Sequence, residues 1–372
     1  MSLNTFTPPD RILMGPGPSN VHPRVLAAMS RPTIGHLDPQ FIRMMDEIKS
    51  LLRDTLMTGN EVTFPVSGPG SVGMEACVVN LVEPGMKVAV CVNGAFGGRL
   101  KEMVQRCGGA PVVVEDEWGR PVDPQKLEDV LRSNRDVKVA AFVHAETSTG
   151  ARSDIKELSR IAHRYGCITI ADTVTSLGGI PVKVDEWELD VVYSGSQKCL
   201  SCPPGLSPVT FNESAVNAVK SRKTKVQSWF MDIGLVLSYW SGAKRTYHHT
   251  APINALYGLH EALLLLHEEG LENSWSRHKR NSDLFRAGLA KIGLKTLVDG
   301  DAGLPELISV LVPDGVDEAY VRKRLLDEHN IEIGAGLGQL AGKIWRVGLM
   351  GYTSNEKNVN YCISALKSVL ER

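Results

Sequence analysis

The 372-residue chain reads as an α/β protein. A large domain with a mainly parallel, doubly wound sheet is followed by a smaller C-terminal α+β domain. Three observations carry this expectation. Strand-like and helix-like segments alternate from about residue 62 to residue 195. The strand-like segments are apolar at every position rather than at every second one, as in a sheet covered by helices on both faces. Past about residue 252 the alternation gives way to long helical stretches around short apolar segments.

Taken in order, Val62–Val66 is a predicted strand and Met74–Val82 a helix. Lys87–Val92 is a strand and Gly98–Cys107 a helix. Pro111–Glu115, Val137–His144, Cys167–Asp172 and Val191–Gly195 are further strands, with helices at Pro124–Ser133 and Ser153–Tyr165 between them. Regular βα alternation of this kind builds parallel sheets. A long helical stretch over Ile253–Glu269 should end at Gly270, a residue suited to closing a helix. Helical patterning returns at Glu272–Ile292, Asp317–His329 and Asn355–Leu370, with apolar segments at Leu307–Val312, Ile331–Ile333 and Ile344–Val347. The expected division is an N-terminal arm (1–20), a large domain (21–268) and a small domain (269–372).

Charge and composition narrow the function. Lys and Arg number 41 against 42 Asp and Glu, a net charge of −1. That balance argues against nucleic acid or an anionic membrane surface as partner. The apolar run Ala262–Leu266 is far short of the roughly 18 residues a membrane span needs. The 7 cysteines are odd in number and mostly isolated, as expected of reduced thiols in a reducing compartment. Cys199-Leu-Ser-Cys202 is a CxxC without a second pair, so no metal site is expected. Met1–Thr5 lacks a basic and then apolar leader, and Leu370-Glu371-Arg372 is not a peroxisomal address. The expectation is a cytoplasmic protein.

Three segments could carry chemistry. Leu189–Lys198 is an apolar strand running into a small-residue turn that delivers Lys198. A lysine buried there loses its proton easily and suits a Schiff base, although a lysine leaving the strand for water fits the same pattern. Ile168–Val174 ends an apolar strand on Asp172, which could hold a protonated ring nitrogen or cap the next turn. Val66–Ala76 passes from a strand through Ser67-Gly68-Pro69-Gly70-Ser71 into a helix, whose free N–H groups could take a phosphate. It lacks the Gly-Lys-Ser/Thr of a Walker loop, and its Gly68–Gly73 has the GxGxxG spacing, which alone is a weak signal. A phosphate cradle, a ring-nitrogen acid and a Schiff-base lysine at strand ends of one sheet are the parts of a pyridoxal phosphate site.

The run Leu189–Val209 resembles the lysine signature of the class V, fold-type I aminotransferases. The wider chain resembles their alanine–glyoxylate and serine–pyruvate branch. The matching pieces are Met14–Asn20 (MGPGPSN), Val66–Ala76, Glu146–Gly150, Asp172–Gly179, Ser194–Lys198, Tyr247–Thr250 (YHHT), Gly270–Trp275 and Arg346–Gly351 (RVGLMG).

The resemblance implies pyridoxal 5'-phosphate as cofactor and assigns roles. Lys198 would bond the cofactor covalently and move the proton at the substrate Cα. Asp172 would pair with the ring nitrogen. Pro69, Gly70 and Ser71, with Gln197, would form the phosphate cup, and Thr147 would sit near the ring hydroxyl. Val174 and Phe96 would cover the two ring faces. Phe96 stands where the family often has tryptophan, and Pro69 and Ser71 where the branch often has serine and histidine. Tyr247 and Thr250 would reach the phosphate of the neighbouring subunit, which implies a homodimer with shared sites. Arg346 would clamp the substrate carboxylate, since its planar fork matches one. Gly17 and Pro18 would line the same pocket, and His36 would approach it across the dimer.

The implied reaction moves an amino group from alanine or serine to glyoxylate or pyruvate by a ping-pong route. A bulkier amine (3-hydroxykynurenine or pyridoxamine) or a lyase reaction is the alternative. A cysteine desulfurase is disfavoured, because no cysteine lies between Cys202 and Cys362. A nicotinamide oxidoreductase is disfavoured: Gly68–Gly73 has the GxGxxG spacing, but the lysine, the acid and the glycine-rich turn together fit a pyridoxal phosphate site. The aromatic residues of Val226–Phe230 and Tyr239-Trp240 are expected in core or subunit contacts, and Ser221–Lys225 in a solvated loop.

Overall fold

A computed structural model describes residues 5–242 and 244–371. The expectations placed on Met1–Asn4 and on Arg372 lie outside the described residues. The central sheet has seven strands: β1 (Val62–Ser67), β2 (Lys87–Val92), β3 (Ala110–Glu115), β4 (Val139–Val143), β5 (Ile168–Asp172), β6 (Val191–Tyr193) and β7 (Leu206–Phe211). They lie in the order β1-β7-β6-β5-β4-β2-β3. Every strand is parallel to the rest except β7, which runs antiparallel between β1 and β6. β4, β6 and β7 are buried along their whole length. Burial at every position, Ser207 and Thr210 of β7 included, is the mark of a sheet packed on both faces.

Helices Gly70–Leu81, Ala95–Arg106, Pro124–Ser133 and Ile155–Arg164 pack on this sheet. The first begins four residues before the predicted Met74, and the second three before Gly98. Hydropathy sees only where a run of apolar residues starts, and both opening turns are mostly glycine, alanine and serine, with Val72 and Phe96 the exceptions. Two early helices, Pro23–Met29 and Pro39–Leu56, pack against Ile253–Glu269. The long one starts at a readable signal: Asp38 accepts the Gln40 N–H (2.7 Å), with Pro39 in the first turn. Ile253–Glu269 ends at Gly270, whose φ is +86°.

A second apolar core gathers Phe285, Ile308, Trp345, Val359 and Leu366. It lies between the antiparallel sheet Leu307–Leu311, Ile344–Gly348, Gly334–Ala335 and the helices Leu271–Lys291, Glu318–His329 and Glu356–Leu370. The N-terminal segment belongs to this core. Ile12–Leu13 pairs with Ile331–Glu332, and Met14 is fully buried there. From that anchor the chain crosses to the lysine turn, where the Ser19 N–H meets the Gln197 carbonyl at 2.9 Å.

Tyr239 and Trp240 are in the main core, but Trp229 is 63% exposed and stacks on His248 at 4.4 Å between ring centroids. Cys199 and Cys202 are buried thiols, and the Cys199 Sγ donates to the Thr175 carbonyl.

Candidate active site

A cavity of about 220 Å³ opens over the ends of β5 and β6 and is lined by Gly70, Ser71, Phe96, Thr147, Asp172 and Lys198, among others. Pro69, Val174 and Gln197 also line it. Nine of the residues read from the sequence thus converge on one space.

Lys198 is held from the N-terminal side. Its Nζ donates to the Pro16 carbonyl. Gly17 lies so close that a Cβ there would fall 2.5 Å from Nζ, at a φ of +104°. The Ser19 hydroxyl donates to the Lys198 carbonyl (2.8 Å). Burial, reinforced by the positive charge of Arg346, pushes the ammonium down to about 8. A sizeable neutral fraction therefore exists near physiological pH.

Asp172 is 3% exposed. The Val174 N–H donates to its Oδ1 and the Tyr193 hydroxyl to its Oδ2, both at 2.8 Å. Tyr193 comes from β6, where strand register sets it directly opposite Asp172. Burial pushes the carboxyl up to about 6, and those two hydrogen bonds hold it from rising further. An acid of this kind is poised to ionise once a cation is brought to it.

The helix Gly70–Leu81 points its N-terminus into the cavity. Its N-cap is Pro69, which offers no side-chain hydrogen bond, and its first turn carries no acidic residue. The Val72 N–H is the first to turn back, to the Pro69 carbonyl, so the N–H groups of Gly70 and Ser71 are left as free donors. Gln197 carries a buried Oε1 with no partner.

Arg346 lies on the small-domain strand Ile344–Gly348 and is 7% exposed. Its Nε donates to the Ala335 carbonyl (2.6 Å) and its Nη1 to that of Thr147 (3.2 Å). These bonds orient the fork and leave Nη2 without a partner among the described residues. Burial pulls the guanidinium down to about 10, still charged at neutral pH.

Tyr247, Thr250 and His36 do not reach this cavity within one chain. Tyr247 is 57% exposed and Thr250 is exposed. The half-buried His36 ring lies against Tyr247.

Sequence reasoning assigned no role to three residues that the fold brings here. Tyr193 is one, and its contact depends on register. Glu146 is the second: fully buried, it accepts the N–H groups of Phe96 (3.1 Å) and Gly97 (3.2 Å) and the Ser148 hydroxyl. It thereby fixes the helix that carries Phe96, and Gly94 must lack a side chain to let it in. Arg99 is the third, at the cavity rim. Only Glu146 had a local signal, a carboxylate inside an otherwise small and neutral segment.

The comparisons with known proteins follow the same lines. The family described as aminotransferase class-V matches residues 13–358. Alanine–glyoxylate aminotransferase of Rattus norvegicus is 40% identical over 366 residues, covering 98% of this chain and 88% of the relative. (S)-Ureidoglycine–glyoxylate transaminase of Bacillus subtilis is 37% identical over 384 residues, covering 98% and 91%. The crystal structure of alanine–glyoxylate aminotransferase from Nostoc sp. superposes with a TM-score of 0.97 at 47% identity, covering 100% of this chain and 98% of that one. With a lysine and a buried acid gathered at one cavity of this fold, and a buried arginine whose charge acts on that lysine, the chain belongs to the class-V aminotransferase family and is an aminotransferase.

Proposed function

We propose that this aminotransferase moves the amino group of a small amino acid, alanine or serine, to glyoxylate or pyruvate, with pyridoxal 5'-phosphate as carrier. The observation that carries the reading is one cavity holding a lysine of depressed basicity, with a buried acid and a buried arginine felt electrostatically by that lysine. The free Gly70 and Ser71 N–H groups at the helix start fit a phosphate-bearing cofactor. The glyoxylate in the names of both curated relatives supports that acceptor.

When bound, the cofactor supplies an electron sink that stores the amino group between the two substrates. Lys198 Nζ holds the cofactor and, as a partly neutral amine, takes and returns the proton at the substrate Cα. Asp172 holds the proton on the ring nitrogen. Gly70, Ser71 and Gln197, beside Pro69, hold the phosphate. Thr147 lies toward the ring hydroxyl, and Phe96 and Val174 wall the two ring faces. Arg346 grips the α-carboxylate that donor and acceptor share, beside Gly17 and Pro18. One clamp cannot hold both acids at once, which makes the order of events ping-pong.

The proposal extends to the whole chain. Residues 1–20 form an arm, 21–268 the cofactor-binding domain and 269–372 the small domain. Two chains share their sites through Tyr247, Thr250 and His36. Seven buried free thiols support a reducing, cytoplasmic setting, and among the described residues no helix is long and apolar enough to cross a membrane.

The test is an activity matrix of alanine, serine, (S)-ureidoglycine and pyridoxamine against glyoxylate and pyruvate. Alanine or serine with glyoxylate should give the highest kcat/KM. Arg346→Lys keeps the charge but loses the fork. It should lower kcat/KM about 10- to 100-fold for donor and acceptor alike, the effect of one charge-assisted hydrogen bond. Best turnover with pyridoxamine, which has no carboxylate, would refute the substrate class.

A further inference from the structure

Two helix N-termini open beside the cavity, those of Gly70–Leu81 and Ala95–Arg106. The second is already answered by a carboxyl group, since Glu146 takes the Phe96 and Gly97 N–H groups. The first has no such partner. Arg99 stands between them. It projects from one turn inside Ala95–Arg106, near the positive end of that helix, where a cation gains nothing from the dipole. It is exposed, and the described residues give it no carboxylate partner. Its contacts are the Ser71 hydroxyl, 3.2 Å from Nη1, and the face of the Phe96 ring, 5.0 Å from Cζ. An unpaired guanidinium is thus tethered to the residue that opens the unanswered helix end.

We infer that Arg99 is the cation of the phosphate cup: steered by Ser71 and braced on Phe96, its guanidinium binds the phosphate of pyridoxal 5'-phosphate at the N-terminus of Gly70–Leu81. The inference rests on the cofactor reading above. A phosphate monoester carries about −1.5 to −2 charges at neutral pH, and the Gly70 and Ser71 N–H groups with the Gln197 amide supply no full charge. The other basic residue lining the cavity, Lys198, reacts as a neutral amine. Arg346 is bonded to Ala335 and Thr147 and is set for the substrate. Arg99 completes the charge balance, and its fork suits two phosphate oxygens. Ser71 is short enough to leave the guanidinium room beside the helix end.

The experiment compares two aldehydes on the apoprotein, pyridoxal 5'-phosphate and pyridoxal, which lacks the phosphate. Dissociation constants are read from the absorbance change on binding. Arg99→Gln should weaken pyridoxal 5'-phosphate about 10- to 100-fold and leave pyridoxal within about twofold. Arg99→Lys should fall between wild type and Gln for the phosphorylated ligand. Equal weakening of both ligands would place Arg99 on the Phe96 ring stack instead and overturn the inference. So would unchanged binding with a raised KM for the amino acid. Wild-type protein that binds neither aldehyde would overturn the cofactor reading itself, a result distinct from either. The Arg99 side chain is exposed, so melting temperatures should stay at the wild-type value.

Discussion

At the scale of single residues, Asp172 shows how a site stores cost against later use. A carboxyl near 3.8 in an unfolded chain stands at about 6 here because burial disfavours its charge. Between about pH 4 and 6 the folded protein therefore binds a proton that the unfolded chain has released. Stability from this group falls as pH rises through that window and stays lower above it, by about 3 kcal/mol for a shift of roughly two units. Asp172→Asn keeps an acceptor for the Val174 N–H and can meet Tyr193 through a turned hydroxyl. At pH 7.5 the variant apoprotein should melt above wild type, and the gap should close toward pH 4. Transamination should fall by orders of magnitude in the same variant, because the ring-nitrogen proton loses its partner. Thermal melts across that pH range, with turnover measured in parallel, check both. Equal melting at pH 7.5 would show that Asp172 carries no such burden.

At the scale of elements, the site is a meeting of ends. β5 ends on Asp172, the turn after β6 delivers Lys198, and Gly70–Leu81 starts on free N–H groups. The first two were legible because each is a charge at the end of a mainly apolar strand or the turn after it, and the two together outweigh the capping and surface readings that each allows alone. The glycine-rich turn into the helix was legible too, but not its boundary, which lies four residues before the predicted Met74 because glycine and serine leave no apolar period. Nor was the Asp172–Tyr193 pair, which exists only once β5 and β6 are in register. The early helices Pro23–Met29 and Pro39–Leu56 went unread although Asp38 and Pro39 mark one of them. The segment Met14–Asn20 is the element whose role is most exposed to test. It carries Gly17 against Lys198 in a conformation that only glycine adopts freely. Gly17→Ala should leave both cores intact, since the residue belongs to neither. It should displace the Lys198 amine, and misplacement by about 1 Å can cost about 100-fold in rate. The expected result is a kcat loss of that order with the melting temperature lowered by only a few degrees. A fully active Gly17→Ala would show that the lysine does not depend on this crossing segment.

At the scale of the molecule, the residues left outside the cavity are those the proposed second chain would use. Tyr247 and Thr250 are exposed, and Tyr247 packs on His36 beside the exposed Trp229 and its partner His248. If the proposed homodimer shares its sites, each cavity takes Lys198 from one chain and Tyr247 and Thr250 from the other. Two inactive proteins can then repair each other. A Lys198→Ala chain still offers an intact Tyr247 and Thr250. A Tyr247→Ala, Thr250→Ala chain still offers an intact Lys198. Co-expressed at equal levels with different tags, they should pair at random, so about half of the dimers are mixed. Each mixed dimer holds one complete site and one doubly damaged site. Total activity should therefore recover to about a quarter of wild type, and dimers purified through both tags should show about half. Were every site complete within its own chain, mixing would yield only the average of the two parents. That outcome, measured on the doubly tagged fraction, would remove Tyr247 and Thr250 from the site and with them the reason for the dimer to be obligatory.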